Sequence, residues 1–422
     1  MQRRDLTLLL LISCALLSQS PAAASNLVNR YRYLNPETLP DGVWTFAVSE
    51  GRSTGATDRS FSDGGDSISN QAFFSRNVTY SNLLDETPNP LERELAGAAF
   101  RTYGRDLSDS AGTVVNDVNV SQSSRTFVVG RGFGDRNSLF VVLPIVTLKT
   151  QFQSRYVPSA SLRSLTDELR GEGLPRQAEV ILERSKNALR NRLEENSYRT
   201  DYPSELTTLA NVFINHRYSA FRSKKAALSV DSTLVVPAGK TFDENDFLQL
   251  RVNEEQLSYR QSVTGRFMVD RRFSLLSSAH YHKRFAFNRA IRVPYNSTSP
   301  ISADIDPSAR IQYGDTSGLS AQTDFRPIES LAVYLGQSYE GKLRNRMAGT
   351  LYSEERYRFL EQNSEQSLGL TYFGVSWNSV SAFLSNTFPA PIDLNLQYSF
   401  PTSGRNTFEQ NVVSMNLMVF YK

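Results

Sequence analysis

The sequence predicts an all-β protein. Its class is a transmembrane, antiparallel up-and-down β-barrel of about fourteen strands, or twelve if the weak candidates fail, with a helical external loop. Three observations predict it. Long segments alternate apolar and polar side chains, tight and long connections between those segments alternate in turn, and the chain opens on an export signal with no cysteine after it.

The signal comes first. In MQRRDLTLLLLISCALLSQSPAAAS, Arg3 and Arg4 precede an apolar run from Leu6 to Leu17, and Ala22-Ala23-Ala24 supplies small residues for cleavage near Ala24. The run falls short of the ~20 residues that a membrane-spanning helix needs. LISC (11–14) also looks like a lipoprotein box, but the apolar run continues past it. Residues 1–24 are therefore a signal peptide, 25–41 a periplasmic amino-terminal segment, and 42–422 the barrel. Cys14 is the only cysteine, so a chain cleaved near Ala24 carries no disulfide, which suits a Gram-negative envelope.

Bulk composition excludes one partner and leaves the barrel open. With 46 basic and 43 acidic residues the chain has no nucleic-acid footprint. Its mean hydropathy of −0.38 is that of a soluble protein, yet a barrel reads the same way because its lipid face uses every second residue. The 19 tyrosines and 25 phenylalanines fit interfacial girdles.

Period-two segments follow along the chain, since successive side chains on a strand point to opposite faces. In QLSYRQSVTGRFMVDRRFSLLSSAHYH, Leu257, Tyr259, Val263, Phe267 and Val269 share one parity against Arg260, Ser262, Thr264 and Arg266. After the turn at Asp270-Arg271, Phe273, Leu275, Ala279 and Tyr281 oppose Arg272, Ser274, Ser278, His280 and His282. The pattern recurs around Arg326-Pro327, in Ala226–Val236, in Ile392–Phe400 and in the terminal NVVSMNLMVFYK. Strands fall near 122–133, 137–152, 208–221, 225–237, 255–269, 272–284, 310–325, 328–341, 364–376, 388–400 and 408–421, with weaker candidates at 42–50, 70–82 and 92–103. Tight connections at Gly134-Asp135-Arg136, Arg222-Ser223-Lys224, Asp270-Arg271 and Arg326-Pro327 alternate with long ones at 153–207, 238–254, 285–309 and 342–363. An outer-membrane barrel has this arrangement, with short periplasmic turns and longer external loops. The apolar parity should meet lipid, with Tyr421 at the periplasmic membrane interface.

One segment breaks the β pattern. Leu162, Leu165 and Leu169, then Ala178, Ile181, Leu182, Ala188, Leu189 and Leu193, recur at helical spacing across 161–196. Gly171 and Gly173 separate the runs and Pro175 opens the second, so a helical hairpin is expected in the external loop at about 155–200. It is either a lid over the mouth or a loop packed on the rim.

Chemistry is sparse. His280 and His282 share a strand face with Ser278, which raises a serine–histidine pair or a metal site, but no third ligand or orienting acid accompanies them. No catalytic residue, metal site or cofactor is therefore expected. Arg260, Arg266, Arg272, His280, His282 and Glu340, with Asp231, are expected to line the lumen, where they can select permeants or satisfy one another.

FVVGRGFGDRNSLFVVLPIVTLKTQF (127–152) resembles the YG-x-T-D-R-x-S-L … x-P-Y hairpin of the outer-membrane family named for the meta-pathway of phenol degradation. Phe133-Gly134 and Asp135-Arg136 carry the match. That family is grouped with the long-chain fatty acid transporter-like barrels. The resemblance implies uptake of small apolar or aromatic compounds. No plug of the fatty acid transporter type is legible at the amino terminus. The aromatic-tipped last strand looks like those recognised by the barrel assembly machinery, with Lys422 added after Tyr421.

The expected function is passage of small, hydrophobic or aromatic, molecules across the Gram-negative outer membrane without catalysis. The expected partners are outer-membrane lipid, the assembly machinery and a small-molecule permeant. The alternatives are an envelope lipase or protease using Ser278 and His280/His282, and a closed structural or adhesive barrel.

Overall fold

The structure is a computed structural model. It describes residues 36–422 apart from 55–58, 70–75, 86–89, 180, 182–192, 195, 200–203, 242, 247–251, 254 and 296–302. The signal peptide reading and much of the second helical run therefore lie outside the described residues.

Twelve long strands form a ring. The first six are β1 (Trp44–Thr54), β2 (Ser110–Phe133), β3 (Asn137–Pro158), β4 (Val212–Arg222), β5 (Ala226–Val236) and β6 (Ser258–Met268). The others are β7 (Phe273–Arg284), β8 (Thr316–Ile328), β9 (Leu331–Lys342), β10 (Gln366–Asn378), β11 (Ile392–Arg405) and β12 (Asn411–Tyr421). Each pairs antiparallel with its neighbours in sequence, and β1 closes the ring on β12 through a register running from Trp44↔Tyr421 to Thr54↔Asn411. Closure leaves no sheet edge within the ring. Twelve is the lower of the two counts the sequence allows. Of the weak candidates, 42–50 is β1, 92–103 lies in helix, and among the described residues of 70–82 only Arg76–Thr79 is strand.

The alternation of connections holds for most of the ring and fails at its end. Residues 134–136, 223–225, 269–272 and 329–330 are tight turns, but 379–391, at the same end, is longer and contains the helix Val380–Leu384. Opposite it, the loop-end link 406–410 is short. At Gly134 the first tight turn needs a positive φ, and the glycine amide donates to Asp41 Oδ1 at 2.7 Å.

The two parities face different surroundings. On β12, Leu417 is 42% exposed while its neighbour Asn416 is 1% exposed. Val413, Met415, Val419 and Tyr421 stand outward with Leu417, whereas Val412 and Ser414 are buried inside. The same division holds for outward Tyr259, Val263, Phe267, Leu275, Tyr281, Leu319 and Leu335. The inward set is largely polar and buried: Ser49, Thr126, Ser229, Asp231, Thr264, Asn395 and Gln397. A monomer in water rarely shows contiguous apolar patches of this extent, and the inside-out arrangement belongs to a membrane barrel.

Among the described residues, two small apolar clusters lie outside the ring. β2 and β3 run 24 and 22 residues, well beyond the other strands. On this extended ribbon pack the helices α1 (Tyr80–Asp85), α2 (Pro90–Thr102) and α3 (Ala160–Gly171). Their core holds Tyr80, Phe100, Tyr156, Leu162, Leu165 and Leu169. Ser159 caps α3 by accepting the Leu162 amide at 3.1 Å. The three leucines are thus spent on the ribbon, which is the packed alternative to a lid. A second cluster joins Phe287–Pro294, Ala303–Gln312 and Arg346–Ala348 as a sheet under α4 (Glu354–Glu361), around Val293, Ile311, Tyr313, Tyr357 and Leu360.

Candidate functional site

The site is the inner wall of β4–β9. Because register aligns inward positions across neighbouring strands, three cross-strand rows stack along the bore. The first carries charge: Arg217, Asp231, Ser262, His280, Gly318 and Glu340. The next, one step toward the loops, is Asn215, Thr233, Arg260, His282, Thr316 and Lys342. On the turn side lies a row of hydroxyls alone: Ser219, Ser229, Thr264, Ser278, Ser320 and Ser338.

Local contacts follow from the rows. Arg217 donates from Nε to Asp231 Oδ1 at 2.7 Å, both side chains buried, and its guanidinium also lies 5.8 Å from the Phe140 ring centre. His280 Nε2 is 3.5 Å from Glu340 Oε2. Gly318 stands between them in register, and the imidazole occupies the space a Cβ there would need. His282 Nε2 is 2.8 Å from the buried Ser258 hydroxyl. Ser278 accepts from Thr264 Oγ1 at 3.2 Å. The serine considered for hydrolysis thus belongs to a hydroxyl row, while one histidine faces a carboxylate and the other a different serine.

The other sequence-selected residues are placed as follows. Arg260 lies inward beside His282, and Arg266 lies inward toward the tight-turn end. Arg272 is exposed in the turn before β7, with its backbone amide donating to Asp270 Oδ1 at 2.6 Å. Tyr421 is outward at the tight-turn end, opposite Trp44.

Sequence reasoning missed two participants. Arg217 alternates inward with Asn215 and Ser219 between outward Ile214 and Tyr218, a period-two signal that the strand read at 208–221 carried, and the bulge follows only after Ser219. The second is the amino-terminal strap. Glu37 bonds Arg266 Nη2 at 2.5 Å, and its carbonyl accepts Arg217 Nη1 at 3.4 Å. Leu39 donates its amide to the inward Ser138 hydroxyl at 2.7 Å. Residues 37–39 therefore sit inside the tight-turn mouth. Gly132 makes room for the Pro40 carbonyl, which any side chain there would strike. Residues 37–39, within the segment read as periplasmic, thus enter the barrel, and tertiary contacts alone reveal this.

Comparison with solved structures agrees with this architecture. The crystal structure of an outer membrane channel from Pseudomonas putida F1 superposes with a TM-score of 0.51 at 9% identity, covering 92% of this chain and 98% of that one. The fold is that of an outer-membrane β-barrel. The hairpin resemblance read at 127–152 is thus met at the level of fold. The toluene transporter TodX of Pseudomonas putida also aligns, over 93% of each chain at 11% identity, but its TM-score of 0.34 is too low to bear on the fold. No protein-family model matches the chain, and no curated protein matches its sequence. In an outer-membrane barrel the tight-turn end is periplasmic and the two helical and sheet clusters are external.

Proposed function

We propose that this chain is a non-enzymatic channel of the Gram-negative outer membrane that passes small molecules, hydrophobic or aromatic ones among them. Export by a signal cleaved near Ala24 delivers it there, and lipid surrounds its apolar wall. The observation that carries the reading is the closed ring of twelve strands with polar rows inside and apolar side chains outside. The description of the Pseudomonas putida F1 protein as an outer membrane channel supports it. The hairpin resemblance supplies the permeant class. The rows set the discrimination: hydroxyls hydrogen-bond a polar group of the permeant, while Arg260 and the Arg217–Asp231 and His280–Glu340 pairs fix the field along the path.

Reconstitution in planar bilayers tests this. Discrete conductance steps are expected, with the reversal potential under a salt gradient shifted toward cation preference in Arg260→Gln and Arg266→Gln. Uptake of radiolabelled aromatics and fatty acids into vesicles tests the permeant class. A closed, structural barrel is the second reading. It is favoured by the burial of the inward side chains and by the strap in the periplasmic mouth. Absence of both conductance and uptake would decide for it.

A further inference from the structure

The membrane-facing wall is not uniform. On β12, β1 and β2 the outward side chains toward the tight turns form an apolar surface of Leu417, Val419, Phe46, Val48 and Phe127, bounded on the loop side by the Glu50–Arg125 pair beside Met415. On β6–β10 one register row interrupts it. Gly265, Ser277, Ala321, Gln337 and Thr371 align across five adjacent strands. Gln337 is exposed between buried Gly336 and Ser338 at mid-strand in β9, so its amide points away from the bore at membrane depth. The row forms the floor of a groove of about 630 Å³, bordered by Phe267, Leu275 and Leu335.

Some outward polar groups elsewhere on the barrel and its ribbon find partners within the chain. Arg125 meets Glu50 at 2.6 Å, Thr147 meets Thr207 at 2.9 Å, and Ser232 meets Gln261 at 3.0 Å. Ser277, Gln337 and Thr371 make no side-chain hydrogen bond among the described residues. Hydrocarbon offers them none, and an unmet polar group in lipid costs several kcal/mol.

We infer that this groove is an interface between two copies of the barrel, joined about a two-fold axis near Ala321 and Gln337. A second copy brings the missing chemistry to the required depth. A primary amide is self-complementary, since its N–H donates to the carbonyl of the same amide in the partner, and a two-fold interface brings like surfaces together. The small side chains allow the walls to approach closely, as small residues with hydrogen-bonding neighbours do between membrane helices. An acyl chain fills the same volume without satisfying the amide.

The test is disulfide crosslinking of single-cysteine variants in native outer membranes, in a Cys14→Ala background. Ala321→Cys and Ser277→Cys are compared with Met415→Cys on the opposite wall. The interface predicts a covalent dimer at least tenfold more abundant at position 277 or 321 than at 415. Gln337→Leu should lower that dimer several-fold in the Ala321→Cys background while the barrel keeps its heat-modifiable mobility. Crosslinking at 277 and 321 no greater than at 415 overturns the inference and leaves the groove to lipid, whether or not the barrel conducts.

Discussion

Glu37 and Arg266 stand 229 residues apart in the chain, yet their side chains meet at 2.5 Å inside the periplasmic mouth. Arg266 is mostly buried and Glu37 about two-fifths exposed, so the pair contributes at most about 1 kcal/mol. Glu37→Ala should loosen the strap and raise the open population of the periplasmic mouth up to about fivefold, by that same figure. Single-channel recordings of open probability measure the change, and an unchanged trace would remove the strap from control of the pore.

The Arg217–Asp231 pair lies deeper, with side-chain exposures of 9% and 1%. Removing one partner leaves an uncompensated buried charge, so Asp231→Ala should destabilise the barrel by about 3–5 kcal/mol. Replacing both residues with apolar side chains of similar volume should cost far less. Urea unfolding in detergent, read by the shift from folded to unfolded electrophoretic mobility, compares the two.

Gly318 allows His280 and Glu340 to meet across the intervening strand. Gly318→Val puts atoms where the imidazole lies and should cost about 1–3 kcal/mol through overpacking. It should also separate the histidine from Glu340. Urea unfolding in detergent measures the loss, and a double-mutant cycle with Glu340→Gln tests whether the His280–Glu340 contact goes with it.

In the external cluster, burial and then the hydrogen bond to Asp306 push the Tyr357 phenol up to about 12. The folded value lies above the ordinary 10.0, so the neutral phenol's contribution to stability is complete below pH 10 and lost as pH rises toward 12. Absorbance titration at alkaline pH should show a late-ionising tyrosine signal that Tyr357→Phe reduces by one residue. Asp304 is held below its ordinary 3.8 by the Tyr295 hydroxyl and then by Arg356, against a cost of burial. Its contribution is present above pH 3.8 and lost as pH falls below that value.

Leu257, Tyr259, Val263 and Phe267 illustrate what is legible without coordinates. Their period of two follows from backbone geometry, and a strand whose faces meet lipid and a polar bore must alternate. Most strand placements, three of the four tight turns and the outward face were readable for that reason. The turn read at Arg326-Pro327 lies instead at 329–330, beyond a bulge between Phe325 and Ile328, and the strand read at 310–325 is two, Ala303–Gln312 and Thr316–Ile328. The count of strands was less readable, because Arg76–Thr79 is too short and 92–103 too helical in context for local pattern to decide.

The sequence by itself determined which side chains of each strand share a face, since that depends on neighbours along the chain. Tertiary structure decided which residues share a row. His280 opposes Gly318 and Glu340, and Ser277 opposes Ala321 and Gln337, only once the strands lock in register. It also carried Glu37 into the mouth. Register and closure join residues distant in sequence, and the inter-strand hydrogen bonds that fix them leave no local signature in the order of amino acids.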